Sequence, residues 1–237
     1  MNVTELMKKR INATDQTRCN EGLIEACMTN NTPTVHKLVG MADLAYADYE
    51  ALGWALRNNN LENVRAIVTA SGEQHRPHII GRFKRAKKLS VDVLKLCVQY
   101  LNDSVPPHPA DGYAFERQNA GIGNAGIVLD LAQRSIEDNN IAGLLYLITQ
   151  CDPNSHSGRL LRTAAQEGRE EMMDVLYPLS DPEKTLEAMR EYINITRPNA
   201  KISLGIRRIS ERMEQERLRG KLTEVVDNAG KSASRKM

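Results

Sequence analysis

His75 and His78 stand three residues apart, a spacing that can present two metal ligands side by side. Pro77 between them interrupts a regular helix, and no adjacent Cys or acid completes a ligand set, so the sequence assigns no metal site. The other histidines are no better placed for catalysis. His36 falls on the outer side of an expected helix, His108 in a proline loop and His156 in a turn, none with a Ser, Cys or Asp partner by motif. Glu170 and Glu171 are neighbours that point to different sides of a helix, so they do not pair as acid and base. Gly121, Gly123 and Gly126 satisfy the dinucleotide fingerprint G-x-G-x-x-G, but Arg117–Ala120 before them is no strand and no βαβ pattern follows. We read these glycines as a turn and expect no cofactor. The chain is expected to bind rather than to catalyse.

One stretch carries strong electrostatics. Arg76, Arg82, Lys84, Arg85, Lys87 and Lys88 are gathered without a single acid, and Phe83 sits among them. Such a cluster can neutralise phosphates or dock on an acidic protein; the plain alternative is a solvated helix face. The whole chain of 237 residues has a formal charge of only +2, so nothing global announces nucleic acid. No apolar run approaches the roughly 18 residues of a membrane span. The first ten residues lack the apolar core of a secretory signal. Cys19, Cys27, Cys97 and Cys151 are far apart, and Cys27 and Cys97 occupy helix core positions. Buried thiols behave as small apolar groups, so we expect reduced cysteines, no membrane partner and a cytoplasmic protein.

The elements that must position these groups are short helix pairs. Leu52, Ala55 and Leu56 recur at helical spacing, as do Val64, Ile67 and Val68. Between them Asn58-Asn59-Asn60 tolerates the left-handed conformation that ends a helix, and Asn60 can cap the next one. Each helix is too short to stand alone, so neighbours must complete the core. Weaker copies start at Leu23, Ala132 and Leu161, and a poorer one runs from Gly81 to Cys97 with Val93, Leu94 and Leu96 in the second helix. Residues 102–126, with Val105-Pro-Pro-His-Pro109 and the aromatics Tyr113 and Phe115, read as an irregular insertion and a second candidate contact surface.

The copies resemble the ankyrin repeat. Ala164-Ala165 with Gly168 matches its core, and Ala26-Cys27 with Asn30-Asn31 and Ala55-Leu56 with Asn59-Asn60 are close variants. The likeness covers roughly residues 20–180. No copy carries a Thr-Pro-Leu-His opening, and the 29-residue step from Leu23 to Leu52 is shorter than the usual period of about 33. The expectation is therefore an all-α helical-repeat solenoid, an ankyrin-like stack of five to six helix pairs over 1–200. A TPR- or HEAT-like stack is the competing fold.

The ends follow the same logic. A short first helix from Thr4 to Asn12 lids the stack, and Ser180 with Glu183 boxes a helix that runs to Ile195. Ile202, Ile206, Ile209, Met213, Leu218, Leu222 and Val225 mark an amphipathic C-terminal helix over 201–228. It caps the last repeat or, alternatively, pairs with its own copy in a homodimer. Asn228-Ala-Gly230 is expected to stop it, leaving 229–237 as a disordered basic tail.

The resemblance implies a non-enzymatic adaptor or inhibitor that holds a protein partner on the side lined by the first helices. Matching positions are Tyr49, Trp54, Arg57 and Asn58 in the second pair, and Phe83 and Arg85 in the third. Arg134 and Glu137 follow in the fourth, and Arg162, Thr163 and Gln166 in the fifth. An effector- or phage-type inhibitor of a bacterial or host complex would be one form of this function. The alternative is a nucleic-acid-binding protein using residues 76–88.

Overall fold

The computed structural model describes residues 3–103, 114–195 and 200–234, with side chains over 15–103, 125–193 and 200–224. The described residues form twelve α-helices and no strand. They fall into two compact units that divide between Gln150 and Cys151, inside the span read from sequence as one repeat domain.

The first unit holds α1 (Val3–Met28), α2 (Thr32–Leu38), α3 (Tyr46–Arg57), α4 (Leu61–Ala70), α5 (Arg76–Arg85), α6 (Val91–Asp103), α7 (Ala114–Glu137) and α8 (Ile141–Leu147). Each odd helix packs on the next odd helix, α1 on α3, α3 on α5 and α5 on α7. The even helices do the same, α2 on α4, α4 on α6 and α6 on α8. The second unit holds α9 (Ser155–Glu167), α10 (Glu170–Leu176), α11 (Pro182–Ile195) and α12 (Ala200–Ser234), with α9 against all three others.

The turns inside the pairs explain why the helices stop and restart. A left-handed residue, Asn30, Asn59, Asn139 or Gly168, precedes the next helix by two positions, and the residue between acts as its N-cap. Asn60 accepts from the Asn63 backbone N–H at 3.0 Å and Asn140 from that of Gly143 at 2.9 Å. Such caps contribute about 1 kcal/mol each. In the third pair the left-handed residue is Lys88 and the cap Ser90, so that turn is one residue longer. The sequence register there was consequently one position off: Val93, Leu94, Cys97 and Val98 are buried, and Leu96 is only half-buried.

The same turns are stapled to one another. Asn59 donates to the Lys88 carbonyl at 2.9 Å and accepts from the Ser90 N–H at 2.6 Å. Asn140 donates to the Leu89 carbonyl at 2.7 Å, and Asn60 donates to the Thr32 hydroxyl at 3.2 Å. A row of short amides therefore binds neighbouring pairs where apolar burial has run out.

Several expectations need correction. The first helix is continuous from Val3 to Met28 rather than ending at Asn12. Gly121, Gly123 and Gly126 lie inside α7 and make no turn, because the helical backbone simply continues through them. The cap of α11 is Asp181, which accepts from the Lys184 N–H at 3.1 Å; the Ser180 hydroxyl has no partner. α12 runs through Asn228-Ala-Gly230 to Ser234, since one glycine costs a helix only about 1 kcal/mol relative to alanine. Its first half caps the second unit, with Ile202 and Ile209 buried and Arg208 donating to the Ala165 carbonyl at 2.7 Å. Leu218 and Leu222 farther along are exposed. The proline run and His108 lie outside the described residues, and so does the side chain of Phe115.

Candidate functional site

α3 opens with three consecutive left-handed residues, Ala47, Asp48 and Tyr49, before its right-handed turns begin. For L-residues this conformation costs about 1–2 kcal/mol each, so something must hold it. Two sets of contacts, to α5 and to His75 just before it, do. The Tyr49 hydroxyl hydrogen-bonds His75 Nδ1 at 2.7 Å, and the Tyr49 ring stacks on His78 with centroids 5.2 Å apart. Burial pushes the Tyr49 phenol up, and Asp43 and Asp48 add to the shift. His75 and His78 are thus the ring partners of a buried tyrosine. Pro77 fits between them because α5 begins there, in the first turn where proline is tolerated.

The second contact organises the charge. Arg82 donates to both the Asp48 carbonyl and its carboxylate, the latter at 3.0 Å, and Arg85 reaches the same carboxylate at 3.6 Å. The Arg82 guanidinium lies over Gly53, where a Cβ would meet Nη1 at 3.3 Å. Gly53, Leu56 and Arg57 of α3, with Arg82, Arg85, Ala86 and Lys87, line a depression of ≈ 360 Å³. Arg57 sits 4.1 Å above the Trp54 ring, and Trp54 Nε1 donates to Glu50 at 3.3 Å. Four cations therefore surround one groove, and the Asp48 carboxylate touches two of them, Arg82 and Arg85.

The structure sorts the residues predicted from sequence. Trp54, Arg57 and Arg85 come together at this groove, joined by Arg82 and Lys87 from the basic cluster. Tyr49 and Phe83 are 4% and 0% exposed, which withdraws both from any surface a partner touches; they fill core that the spacing alone had left ambiguous. Asn58 donates to the Cys27 and Met28 carbonyls at 2.9 and 3.2 Å, a staple between pairs. Arg134 and Glu137 bind each other at 2.8 Å. The rest of the basic cluster disperses. Arg76 donates to the Leu101 carbonyl at 3.5 Å and lies 3.9 Å from Glu73. Lys84 pairs with Asp130 at 2.8 Å, and Lys88 lies in the left-handed turn before α6, outside the groove lining.

In the second unit Arg162 and Gln166 line a pocket of ≈ 370 Å³ with Met189, Tyr192, Lys201 and Ile202. Thr163 is buried, its hydroxyl on the Arg159 carbonyl at 2.9 Å. Sequence reasoning missed Asp48, because nothing local announces three left-handed residues in a row. Gly53 did carry a signal: a glycine inside a helix is unfavourable unless another group needs its space.

No helix among the described residues is long and apolar enough to cross a membrane, and no group of three or more His, Cys, Asp or Glu there could hold a metal ion. No protein-family model, no curated protein and no solved structure matches the chain.

Proposed function

We propose that this chain is a non-enzymatic binding module, an adaptor or inhibitor built of ankyrin-like helix pairs, that takes an acidic segment of a protein partner in the groove between α3 and α5. The observation that carries this reading is the cation set of Arg57, Arg82, Arg85 and Lys87 around one depression, with Arg82 and Arg85 held by the Asp48 carboxylate and Arg57 by the Trp54 ring. Arg57 packed on Trp54 adds an arginine and an aromatic side by side, the two residue types that most often anchor interfaces. The repeat reading rests on the same buried positions recurring in α4, α6, α8 and α10, each after a left-handed turn residue.

Nucleic acid is the second reading, and it uses Arg82, Arg85 and Lys87 as well. It ranks lower because Arg76 and Lys84 bind elsewhere, which breaks the strip that would track a phosphate backbone.

Fluorescence anisotropy of a labelled Glu/Asp-rich peptide and of a DNA duplex of equal charge separates the two. The peptide should bind, and Arg57→Glu with Lys87→Glu should weaken it by about tenfold or more, since each cation contributes on the order of 1 kcal/mol. Tighter binding of the duplex, lost in the same variant, would replace the protein reading with the nucleic-acid one. Lys84 is left out of the test because its reversal would break the ion pair with Asp130.

A further inference from the structure

The pocket of the second unit has an electrostatic peculiarity that the basic groove lacks. Arg162, on α9, is half-buried in it, and among the described residues no carboxylate forms an ion pair with it. Burial pulls its guanidinium down, and nearby Arg159 pulls in the same direction. The other cation at the rim, Lys201, is already neutralised by Glu167 at 2.7 Å. A half-buried arginine without a counter-charge loses part of its hydration, and an anion supplied from outside would offset that loss.

The rest of the pocket says what that anion carries. Met189 is fully buried and Ile202 is 7% exposed, and both contribute apolar lining to the pocket. Tyr192, 52% exposed, and Gln166 complete the lining. Gly205 lets α12 lie close against α9 and α11. A Cβ there would meet Met189 Cε at 2.8 Å and Gln166 Cγ at 3.1 Å. At ≈ 370 Å³ the space is that of a small-molecule site, mostly apolar with a few polar groups that fix orientation.

We propose that this pocket, between α9, α11 and α12, binds a small monocarboxylate with an aliphatic body, its carboxylate on Arg162 and its chain against Met189 and Ile202. The site is independent of the groove between α3 and α5, and its ligand is a free small molecule rather than a macromolecule.

The test uses the full chain with methyl-labelled methionine, titrated with hexanoate, acetate and hexan-1-ol. Hexanoate should shift the Met189 methyl signal saturably. Acetate, which lacks the apolar body, and hexan-1-ol, which lacks the charge, should each bind about tenfold or more weakly. Arg162→Met should abolish the difference between hexanoate and hexan-1-ol while melting at or above the wild-type temperature, because an uncompensated half-buried charge has been removed. Equal binding of hexanoate and hexan-1-ol to the wild type would overturn the proposal. So would saturation that leaves Met189 unmoved, or an Arg162→Met protein that melts clearly lower, which would make the guanidinium a structural group.

Discussion

The groove between α3 and α5 and the pocket between α9 and α11 occupy the same place in two helix-pair arrangements, yet they are filled in opposite ways. Both first helices open with a left-handed turn, Ala47–Tyr49 in α3 and His156–Gly158 in α9. Counted back from the N-caps Asn60 and Arg169, Gly53 corresponds to Arg162 and Arg57 to Gln166. Where α3 has glycine, an arginine from α5 lies over it and is pinned by Asp48. Where α9 has arginine, the guanidinium lines the pocket, and among the described residues no carboxylate forms an ion pair with it. One backbone arrangement thus yields a surface of ordered cations in one unit and, in the other, a half-buried cation with no ion pair among the described residues.

The most disruptive test of the shared arrangement is Ala164→Asp. Ala164 is fully buried between helices of the second unit, and a charge placed there without a partner costs several kcal/mol. Thermal unfolding followed by circular dichroism should show that unit melted at room temperature, with α1–α8 retained. Next is the turn itself. Gly158 has φ +68°, and a Cβ on it would lie 2.0 Å from Thr185 Oγ1 on α11. Gly158→Ala should destabilise the second unit by about 3 kcal/mol, the sum of overpacking and left-handed strain. The converse change in the first unit, Ala47→Gly at φ 50°, should raise its melting temperature by relieving strain of about 1 kcal/mol. If both glycine-to-alanine and alanine-to-glycine changes lower stability equally, the left-handed turns are not the common device.

Smaller effects sharpen the comparison of the outer helices. Asn63 is fully buried in α4 with neither side-chain atom hydrogen-bonded, whereas Val93 and Met172 hold the corresponding positions in α6 and α10. Asn63→Leu should stabilise the first unit by about 1 kcal/mol, read as a shift in denaturant midpoint at constant slope. The smallest effect is the pH dependence of the α11 cap. The Lys184 N–H holds the Asp181 carboxyl below the ordinary aspartate range. A depressed carboxylate contributes fully above its unfolded pKa, and its contribution is lost as the pH falls through the lower folded value. Asp181→Asn should therefore flatten the acid side of the second unit's stability curve and leave neutral pH little changed.

The helix pairs were legible because their signals are local. Asn59-Asn60 and Asn139-Asn140 announce a left-handed residue and a cap, and the apolar pairs in α4 and α8 announce buried faces. The third pair was misread by one residue because Lys88, a residue that rarely takes φ > 0, does so there. Phe83 and Tyr49 were read as contact residues because an aromatic at helical spacing is ambiguous between core and surface until its neighbours are known. The groove itself was only half legible. Arg57 and Arg85 stood out by type, but Arg85 is held beside Arg82 by Asp48, whose role comes from a backbone conformation that sequence spacing does not encode. The Arg162 pocket is completed by Lys201 and Ile202, far along the chain, and no local pattern joins them.

The most direct test of the central claim is affinity capture from native lysate, run with nuclease and at two salt concentrations, comparing the wild type with the Arg57→Glu, Lys87→Glu variant. The account predicts one acidic protein retained by the wild type through nuclease and lost from the variant, with the variant's melting curve unchanged. Equal retention by both proteins, or recovery that disappears on nuclease treatment, would contradict it.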